Sequence, residues 1–491
     1  MEKRFPYVVL VLLAVAGLPS FLRAEPDFRP NIVWIIADDL SPDLGCYGQQ
    51  LAAVKTPHLD GLAREGVRFT RIFGTSSVCS PNRSAFNTGM YQTSIGAHHH
   101  RTVVKRPLPN GGVTIPDLFR RAGYFVCNGQ PSPDATLPMT RPGKVDWNFS
   151  VEGEPFDGTD WSRRAPDQPF FAQINISEPH RPWRRDMQRP IDPTKVDLPP
   201  YHPEHPLARL DWAQYLEEVQ VFDRKVGAIL QRLQQEGLAD KTIVMVFGDN
   251  GRSFPRDKAY LYDGGIRVPL IIRWPDGKRA GEVDGRLISM IDFGPTCLEW
   301  AGILPPARLQ GVSFADERWP GREAVFSGRD RSDILPDRMR SVRTVRFKYI
   351  RNFRSGVPYF PTSRYTLLTE PTLAAMLTRP QRSSRDDPVV SLIKSVRPGE
   401  ELYDVELDPF ETRNLADDPR YIAILNDLRG RLDRWIEETG DMGVHPEDPA
   451  EIEPYGKWLE NYLNGIGERM RVKELSPTAM YDYWMNKYDL L

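Results

Sequence analysis

Short, continuously apolar runs alternate with amphipathic stretches between about residues 31 and 302. Residues 31–37, 170–176 and 243–248 are apolar at almost every position, which is typical of parallel strands buried on both faces. Residues 211–236 instead carry apolar side chains at helical spacing. This alternation predicts a doubly wound α/β domain with helices on both faces of one large sheet.

The pattern changes beyond residue 302. Residues 339–350 and 401–405 resemble antiparallel strands, and residues 421–438 form a helical pattern. The region between residues 350 and 401 is rich in Arg, Pro and Ser, and this composition predicts a long loop. We therefore expect an α/β domain over 25–335 and a smaller C-terminal subdomain, with an antiparallel sheet and a helix, over 336–491.

The N-terminus has the pattern of a secretory signal peptide. Lys3 and Arg4 precede an apolar run from Tyr7 to Leu18, and Ala24 ends the segment. A run of about 12 apolar residues is short for a membrane span, although an uncleaved anchor is the alternative. We expect residues 1–24 to be removed and the protein to be exported without stable membrane insertion. Its destination would be the periplasm or the extracellular space, or the lysosome in a eukaryote.

Composition narrows the partners and the redox chemistry. The net charge is −2 with 26% charged residues, which gives no overall field for nucleic acid. Four cysteines in 491 residues are too few for a disulfide scaffold. One bridge among Cys46, Cys127 and Cys297 stays open, and Cys79 stands apart in its own motif.

Oxygen ligands follow two of the predicted strands. Asp38 and Asp39 come directly after the first strand, and Asp249 and Asn250 come after residues 243–248. Open α/β sheets bind ligands at the carboxyl ends of their strands. Adjacent carboxylates repel each other unless a cation neutralises them, and all-oxygen ligands suit Ca²⁺ or Mg²⁺ better than zinc. A pair of helix N-caps is the alternative for Asp38 and Asp39.

Cationic and proton-donating side chains occur in the connecting segments. Cys79 lies four residues before Arg83, which sets a modifiable thiol beside a permanent cation. Other candidates are the run His98, His99 and His100, the pair His180 and Arg181 between prolines after residues 170–176, and Lys258. Around a divalent cation they predict a pocket for a tetrahedral anion.

Together these motifs identify a resemblance to the type I sulfatases of the alkaline phosphatase superfamily. Cys79-Ser80-Pro81-Asn82-Arg83 fits the family signature Cys-x-Pro-x-Arg, and the Asp-Asp, Asp-Asn and Gly264-Gly265-Ile266-Arg267-Val268-Pro269 segments accompany it in order. The resemblance covers nearly all of the chain beyond residue 31. It implies an alkaline-phosphatase-like α/β fold, with a large mixed sheet flanked by helices and a smaller C-terminal domain with an antiparallel sheet.

The resemblance also implies a cofactor chemistry. A maturation enzyme would convert Cys79 to Cα-formylglycine, whose hydrate attacks sulfur while bound to Ca²⁺, with Mg²⁺ possible. Arg83 and Lys258 would hold the sulfate and His180 would protonate the leaving atom. The implied metal ligands are Asp38, Asp39, Asp249, Asn250 and the modified Cys79.

One segment departs from the family pattern. Sulfatases usually carry Gly-Lys-x-His where this chain has Gly129-Gln130-Pro131-Ser132. Gln130 brings no charge, and Ser132 is no base near neutral pH. Either the three histidines supply what is missing, or turnover is impaired, or the protein binds sulfated ligands without hydrolysing them. We count His98, His99, His100, Gln130 and Arg181 as candidate substrate-binding residues.

Within the family, the chain looks most like the heparan N-sulfatase (sulfamidase) branch. The segments on which this likeness rests are Phe254-Pro255 after Asp-Asn-Gly, residues 339–342 and residues 401–404. This implies a sulfated carbohydrate as substrate, either an N-sulfated glucosamine or a sugar with a 6-O- or other sulfate ester. A degenerate sulfatase that only binds sulfated glycans, and a phosphonate or phosphodiester hydrolase on the same fold, are the alternatives.

Overall fold

The computed structural model describes residues 29–48, 53–132, 136–359, 363–378, 389, 392–393, 396–445, 447–472 and 475–490. The predicted signal peptide over 1–24 lies outside these ranges. In the ranges that are described, no helix combines the length and the apolarity needed to span a bilayer.

The strands follow the predicted apolar runs closely in the first half of the chain. In chain order they are β1 (Asn31–Ala37), β2 (Val67–Phe73), β3 (Arg106–Pro107), β4 (Phe125–Gln130), β5 (Arg141–Pro142), β6 (Phe149–Ser150), β7 (Phe170–Ile176), β8 (Thr242–Gly248), β9 (Arg267–Arg273), β10 (Val283–Ser289), β11 (Val325–Arg329), β12 (Met339–Arg343), β13 (Phe347–Asn352) and β14 (Glu400–Asp404).

The helices lie between the strands and after them. They are α1 (Pro57–Glu65), α2 (Cys79–Thr88), α3 (Ile115–Arg121), α4 (Pro206–Gln235), α5 (Asp263–Ile266), α6 (Phe293–Trp300), α7 (Arg364–Thr369), α8 (Pro371–Thr378), α9 (Ile422–Thr439), α10 (Pro449–Met470) and α11 (Pro477–Lys487). Helices α7 and α8 lie within the region for which the sequence predicted a loop.

One large mixed sheet organises the chain, in the strand order β10-β2-β9-β8-β1-β7-β4-β5. Strand β9 runs antiparallel to β2 and β8, and β5 runs antiparallel to β4, whereas the other neighbours are parallel. Successive side chains of β1 enter two separate cores: Val33 and Ile35 face α4, and Ile32 and Trp34 face the opposite layer. Burial on both faces explains the continuous apolar runs. The mixed sheet flanked by helices is confirmed.

A second, antiparallel sheet has the strand order β11-β12-β13-β14. The predicted single run 339–350 forms two of its strands, β12 and β13, because residues 344–346 turn the chain between them. Leu428 and Leu432 of α9 pack on Val342 and Tyr349 of this sheet. The small antiparallel sheet with its helix is confirmed, and its first strand already begins at Val325.

Candidate functional site

The site is built at the carboxyl ends of two neighbouring strands. Strands β1 and β8 are paired in parallel with Ala37 opposite Gly248, so the residues that follow them lie side by side. The backbone of Asp39 has φ +68°, a left-handed conformation that aspartate tolerates better than most residues. Its N–H donates to Asp249 Oδ1 over 3.0 Å. The two acidic segments are thereby locked to each other.

Cys79 is brought to these carboxylates as the first residue of α2. Its side chain is fully buried, and one atom each of Asp38, Asp39, Cys79 and Asp249 lies within 4.8 Å of the others. The Cys79 sulfur is 3.6 Å from Asp38 Oδ1 and 3.8 Å from Asp39 Oδ1. Within the described ranges, this is the only group of acidic, histidine or cysteine side chains that could hold a metal ion.

Arg83 lies one turn further along α2 and is fixed by three acceptors. Its Nε donates to Asp249 Oδ2 over 2.8 Å, and its Nη1 donates to Asn175 Oδ1 over 2.5 Å and to the Lys144 carbonyl oxygen over 3.3 Å. Its exposed fraction is 1%. A buried guanidinium with three acceptors is preorganised, so its position is set by the fold of the chain.

Lys258 stands on one side of the cluster. Its Nζ donates to Asp39 Oδ1 over 2.5 Å and Oδ2 over 2.7 Å, and lies 3.4 Å from the Cys79 sulfur. It therefore contacts both a predicted metal ligand and the predicted modification site.

The loop that carries Lys258 is held by a buried ion pair and by a glycine. Arg252 bridges Asp43 and Asp257, with 2.8 Å contacts to each. A Cβ on Gly264 would lie 1.9 Å from Asp257 Oδ1, so only glycine lets α5 approach this loop. This close approach explains why the segment Gly264-Gly265 accompanies the site.

Lys144 contacts the other carboxylate of the adjacent pair, Asp38, and no sequence motif singled it out. Its Nζ donates to Asp38 Oδ2 over 2.9 Å and to Oδ1 over 3.1 Å. Asn128 positions the preceding residue, since its backbone carbonyl and side-chain amide both bond to Gly143, and a Cβ on Gly143 would lie 2.3 Å from Asn128 Oδ1. The available signal was the Gly-Lys dipeptide at 143–144, displaced from Gly129-Gln130 by the segment that contains β5.

The lysines determine the charge state of the carboxylates. Burial alone would raise the pKa of Asp38, but Lys144, His180 and Arg83 outweigh it and hold that pKa well below its usual value. Burial is likewise opposed at Asp39, where Lys258 and His180 lower the pKa. Burial and the neighbouring Asp38 raise the pKa of Asp249. Asp38 and Asp39 are therefore ionised near neutral pH.

The thiol of Cys79 is a poor nucleophile in this environment. Burial raises its pKa to about 12, and the nearby Lys144 and Lys258 only partly offset that effect. The reactive form of a cysteine is its thiolate, which is then scarce near neutral pH.

A cavity of about 410 Å³ opens over this cluster and is lined by His180, Lys258 and His100 among others. His180 Nδ1 donates to the Arg181 carbonyl oxygen over 2.6 Å, while Nε2 lies 3.8 Å from Asp39 Oδ2. Because Nδ1 donates to that carbonyl oxygen, Nε2 is the ring nitrogen of His180 that can exchange a proton in the cavity.

Glu370, which the sequence did not single out, also lines the cavity, and burial raises its pKa to about 8.

The remaining candidates lie apart from this cluster. The centroids of the His98 and His99 rings are 4.2 Å apart, and His99 Nδ1 lies 3.7 Å from Glu447 Oε2. Neither ring lines the cavity. Gln130 pairs with Arg141 in the ladder between β4 and β5. Arg181 is buried and forms a bidentate ion pair with Asp211, in which Nη1 donates to Oδ1 and Nη2 donates to Oδ2, each over 2.9 Å. Of the three consecutive histidines, His100 reaches the cavity.

The oxygen atoms of the cluster fit a hard divalent cation. Asn250 Nδ2 donates to Asp39 Oδ1 over 2.8 Å, but its buried Oδ1 has no hydrogen-bond partner among the described residues. An orphaned buried acceptor beside three carboxylates is unfavourable unless a cation completes it. The donor set is that of Ca²⁺ or Mg²⁺.

The cysteines that could have formed a bridge are unpaired. Cys46, Cys79, Cys127 and Cys297 all lie within the described ranges and all are free thiols.

Comparison with known proteins places this site in a family context. A model of the sulfatase family matches residues 30–131 and 156–303, and a model described as N-sulphoglucosamine sulphohydrolase, C-terminal, matches residues 252–356. The match leaves out residues 132–155, the segment that carries Lys144 and Asp146.

Two curated relatives cover most of the chain. An ulvan-active sulfatase of Formosa agariphila is 33% identical over 85% of this chain and 76% of its own length. The N-sulphoglucosamine sulphohydrolase of Homo sapiens is 29% identical over 92% of this chain and 98% of its own length.

Solved structures share the fold. A structure in complex with its substrate D-glucosamine-2-N,6-O-disulfate superposes with a TM-score of 0.60, at 18% identity, over 84% of this chain and 98% of that one. The phosphonate monoester hydrolase of Agrobacterium radiobacter superposes with a TM-score of 0.61, at 20% identity, over 84% of this chain and 96% of that one.

Proposed function

This chain belongs to the sulfatase family, and from that membership we propose that it releases sulfate from a sulfated sugar with a formylglycine made from Cys79. The observation that carries the proposal is the convergence of Asp38, Asp39, Asp249 and Cys79 within 4.8 Å. A buried thiol with a pKa near 12 has no use as a thiolate, but it is well placed as the precursor of another group.

The site balances three carboxylates against three fixed cations. Asp38 bonds to Lys144, Asp39 bonds to Lys258, and Asp249 bonds to Arg83. A divalent cation held by Asp38, Asp39, Asp249 and Asn250 would leave the site positive, which favours a sulfate group. Bound Ca²⁺ would supply a Lewis acid beside residue 79, and formylglycine would supply the attacking oxygen.

The cations of the chain perform the binding. Arg83 is buried and held by Asp249, and the ammonium groups of Lys144 and Lys258 are held by Asp38 and Asp39. Such preorganised donors stabilise the charge that develops on sulfate oxygens in the transition state. Lys144 supplies the positive charge that Gln130 lacks, and this favours turnover over a site that only binds sulfated glycans.

His180 is the proton donor of the proposed reaction. Its Nδ1–H is committed to the Arg181 carbonyl oxygen, so Nε2 delivers a proton to the sugar nitrogen or oxygen as its bond to sulfur breaks. Asp146, which follows Lys144 by two residues, keeps a lowered pKa because Lys144 and Arg101 outweigh its burial. Ionised, it orients Lys144 instead of donating a proton.

An N-sulfated glucosamine at a chain end is the substrate we favour. Support comes from the family-model match over residues 252–356 and from the similarity to the human N-sulphoglucosamine sulphohydrolase, which extends over 98% of that protein's length. The protein would be exported and would meet a formylglycine-generating maturation enzyme on the way.

A panel of defined substrates tests this function. We expect matured protein to release inorganic sulfate, measured by ion chromatography, from D-glucosamine N-sulfate at least about tenfold faster than from D-glucosamine 6-sulfate. Sulfated ulvan oligosaccharides and an aryl phosphonate complete the panel. Faster cleavage of the phosphonate than of every sulfate would overturn the proposal.

Calcium is expected to stabilise the folded protein as well as support turnover. A ligand at 100 times its Kd adds about 2.7 kcal/mol of stability. Chelation should therefore lower the Tm by several degrees, and added Ca²⁺ should restore it. The variant Asn250→Ala should show a smaller Ca²⁺-dependent shift, because the unpaired Oδ1 is removed. Equal Tm values with chelator and with Ca²⁺ would contradict a calcium site.

A further inference from the structure

Two exposed aromatic rings stand at the rim of the cavity. Trp458 and Tyr462 lie one turn apart on α10, with ring centroids 5.5 Å apart and planes inclined by 6°. Their exposed fractions are 51% and 46%, although both line the cavity above the acidic cluster. Large aromatic faces contribute much contact area when they are buried, and an exposed apolar patch beside a pocket is a candidate surface for a ligand.

The helix that presents these rings is anchored firmly. Tyr455, Leu459 and Leu463 bury one face of α10, and Arg106 pairs with Glu451 near its start over 2.6 Å. Tyr455 stacks on Trp458 with centroids 5.8 Å apart. The helix is therefore held by packing along one face, and binding on its exposed rings would not require ordering of the helix.

A second cavity continues beyond Trp458. It measures about 380 Å³ and is lined by Lys105, Val103, Tyr455 and others, and the two residues that it shares with the first cavity are Arg101 and Trp458. Lys105 is exposed and forms no ion pair with any residue in the described part of the chain. Arg101 is 3.7 Å from Asp146 and keeps a raised pKa because nearby carboxylates outweigh its burial. Asp146 also lines this cavity, so its charged side chains, Arg101, Lys105 and Asp146, leave one net positive charge beside the apolar surface of Val103 and Trp458.

We propose that Trp458 and Tyr462 form an aromatic platform for the pyranose ring next to the sulfated sugar, and that Arg101 and Lys105 bind an anionic substituent of the chain. Pyranose rings present apolar C–H faces that pack on aromatic planes, and the cations suit a sulfate or a carboxylate. The inference rests on the proposed sulfatase function. It makes a sulfated oligosaccharide, and not a monosaccharide alone, the ligand that this protein is built to hold.

Binding and turnover of matched ligands test the platform. The probes are a heparin-derived tetrasaccharide, an ulvan-derived tetrasaccharide and D-glucosamine N-sulfate. For whichever tetrasaccharide the parent binds more tightly, we expect Trp458→Ala to raise the Kd, measured by calorimetry, about tenfold more than it raises that of the monosaccharide. Trp458→Phe should recover most of the loss, and Phe353→Ala, an exposed aromatic away from both cavities, should change neither Kd.

The variant Lys105→Ala distinguishes a sulfate from a carboxylate as the anionic group bound in the second cavity. A loss of affinity that persists for the carboxyl-reduced tetrasaccharide assigns the contact to sulfate, and a loss that disappears assigns it to carboxylate. Either result supports the contact with an anionic substituent, and an unchanged Kd for both tetrasaccharides in Lys105→Ala would overturn that contact.

Three results would overturn the platform. The first is an equal loss of affinity for the tetrasaccharide and the monosaccharide in Trp458→Ala, and the second is that the parent protein binds neither tetrasaccharide. The third is a change in the sedimentation coefficient of Trp458→Ala, which would show that the rings contact a second copy of the chain. Since calorimetry needs no turnover, failure of the sulfatase proposal would appear separately, as binding without release of sulfate.

Discussion

Replacement of Cys79 by alanine is expected to abolish sulfate release and to lower kcat/KM by about 10⁴-fold or more. The residue is the first of α2, fully buried and within hydrogen-bonding distance of Asp38, Asp39 and Lys258. The other side chains that converge with it are the three carboxylates, and each is already paired with a lysine or an arginine. Sulfate measured by ion chromatography under saturating Ca²⁺ gives the rate.

Cys297→Ala is the matched control for this prediction. Cys297 is also a fully buried free thiol, but it accepts from Trp34 Nε1 over 3.3 Å in the core of the large sheet. We expect its variant to keep the parent kcat even if its Tm falls. A Cys79→Ala protein that releases sulfate at the parent rate would remove residue 79 from the chemistry.

Lys144→Ala is expected to lower kcat/KM by about 10² to 10³-fold, the usual effect of removing one preorganised donor from a developing anion. Its ammonium group is the first of the cations that offset the burial of Asp38, and it bonds to Asp38 Oδ2 over 2.9 Å. Lys144→Arg should restore part of the rate, because it keeps the charge but not the geometry. Steady-state kinetics with the best substrate of the panel measures both variants.

Two further variants make the test of Lys144 specific. Gln130→Ala should cost far less than Lys144→Ala, since Gln130 lies in the β4–β5 ladder. Lys195→Ala, at an exposed lysine away from the cavity, should be neutral. A larger loss at Gln130 than at Lys144 would show that the sulfate is bound where the sequence pattern suggested and not where the structure places the lysine.

The framework of the site could be predicted because it follows directly from buried strands. β1 and β8 are apolar at nearly every position, so their ends were visible in the sequence, and Asp38 and Asp249 follow them immediately. Parallel pairing then brings the two ends together without any further information.

Lys144 and Trp458 could not be predicted because no periodic pattern fixes their surroundings. Lys144 depends on the contact between Gly143 and Asn128, made across an irregular segment, and on the short strand β5. Trp458 lies on α10, a helix with an internal proline, Pro454, whose position over the cavity is set by tertiary contacts such as Leu459. The three histidines show the same limit, because they lie in an irregular segment that bends at His99 and turns at His100, and of the three only His100 lines the cavity.

Mass spectrometry of the Cys79 peptide tests the central claim most directly. Protein produced together with a formylglycine-generating enzyme should carry an aldehyde residue at position 79, and the fraction converted should scale with the rate of sulfate release. Cys46, Cys127 and Cys297 should stay unmodified in the same sample. An intact thiol at Cys79 in protein that releases sulfate at the full rate would contradict the account.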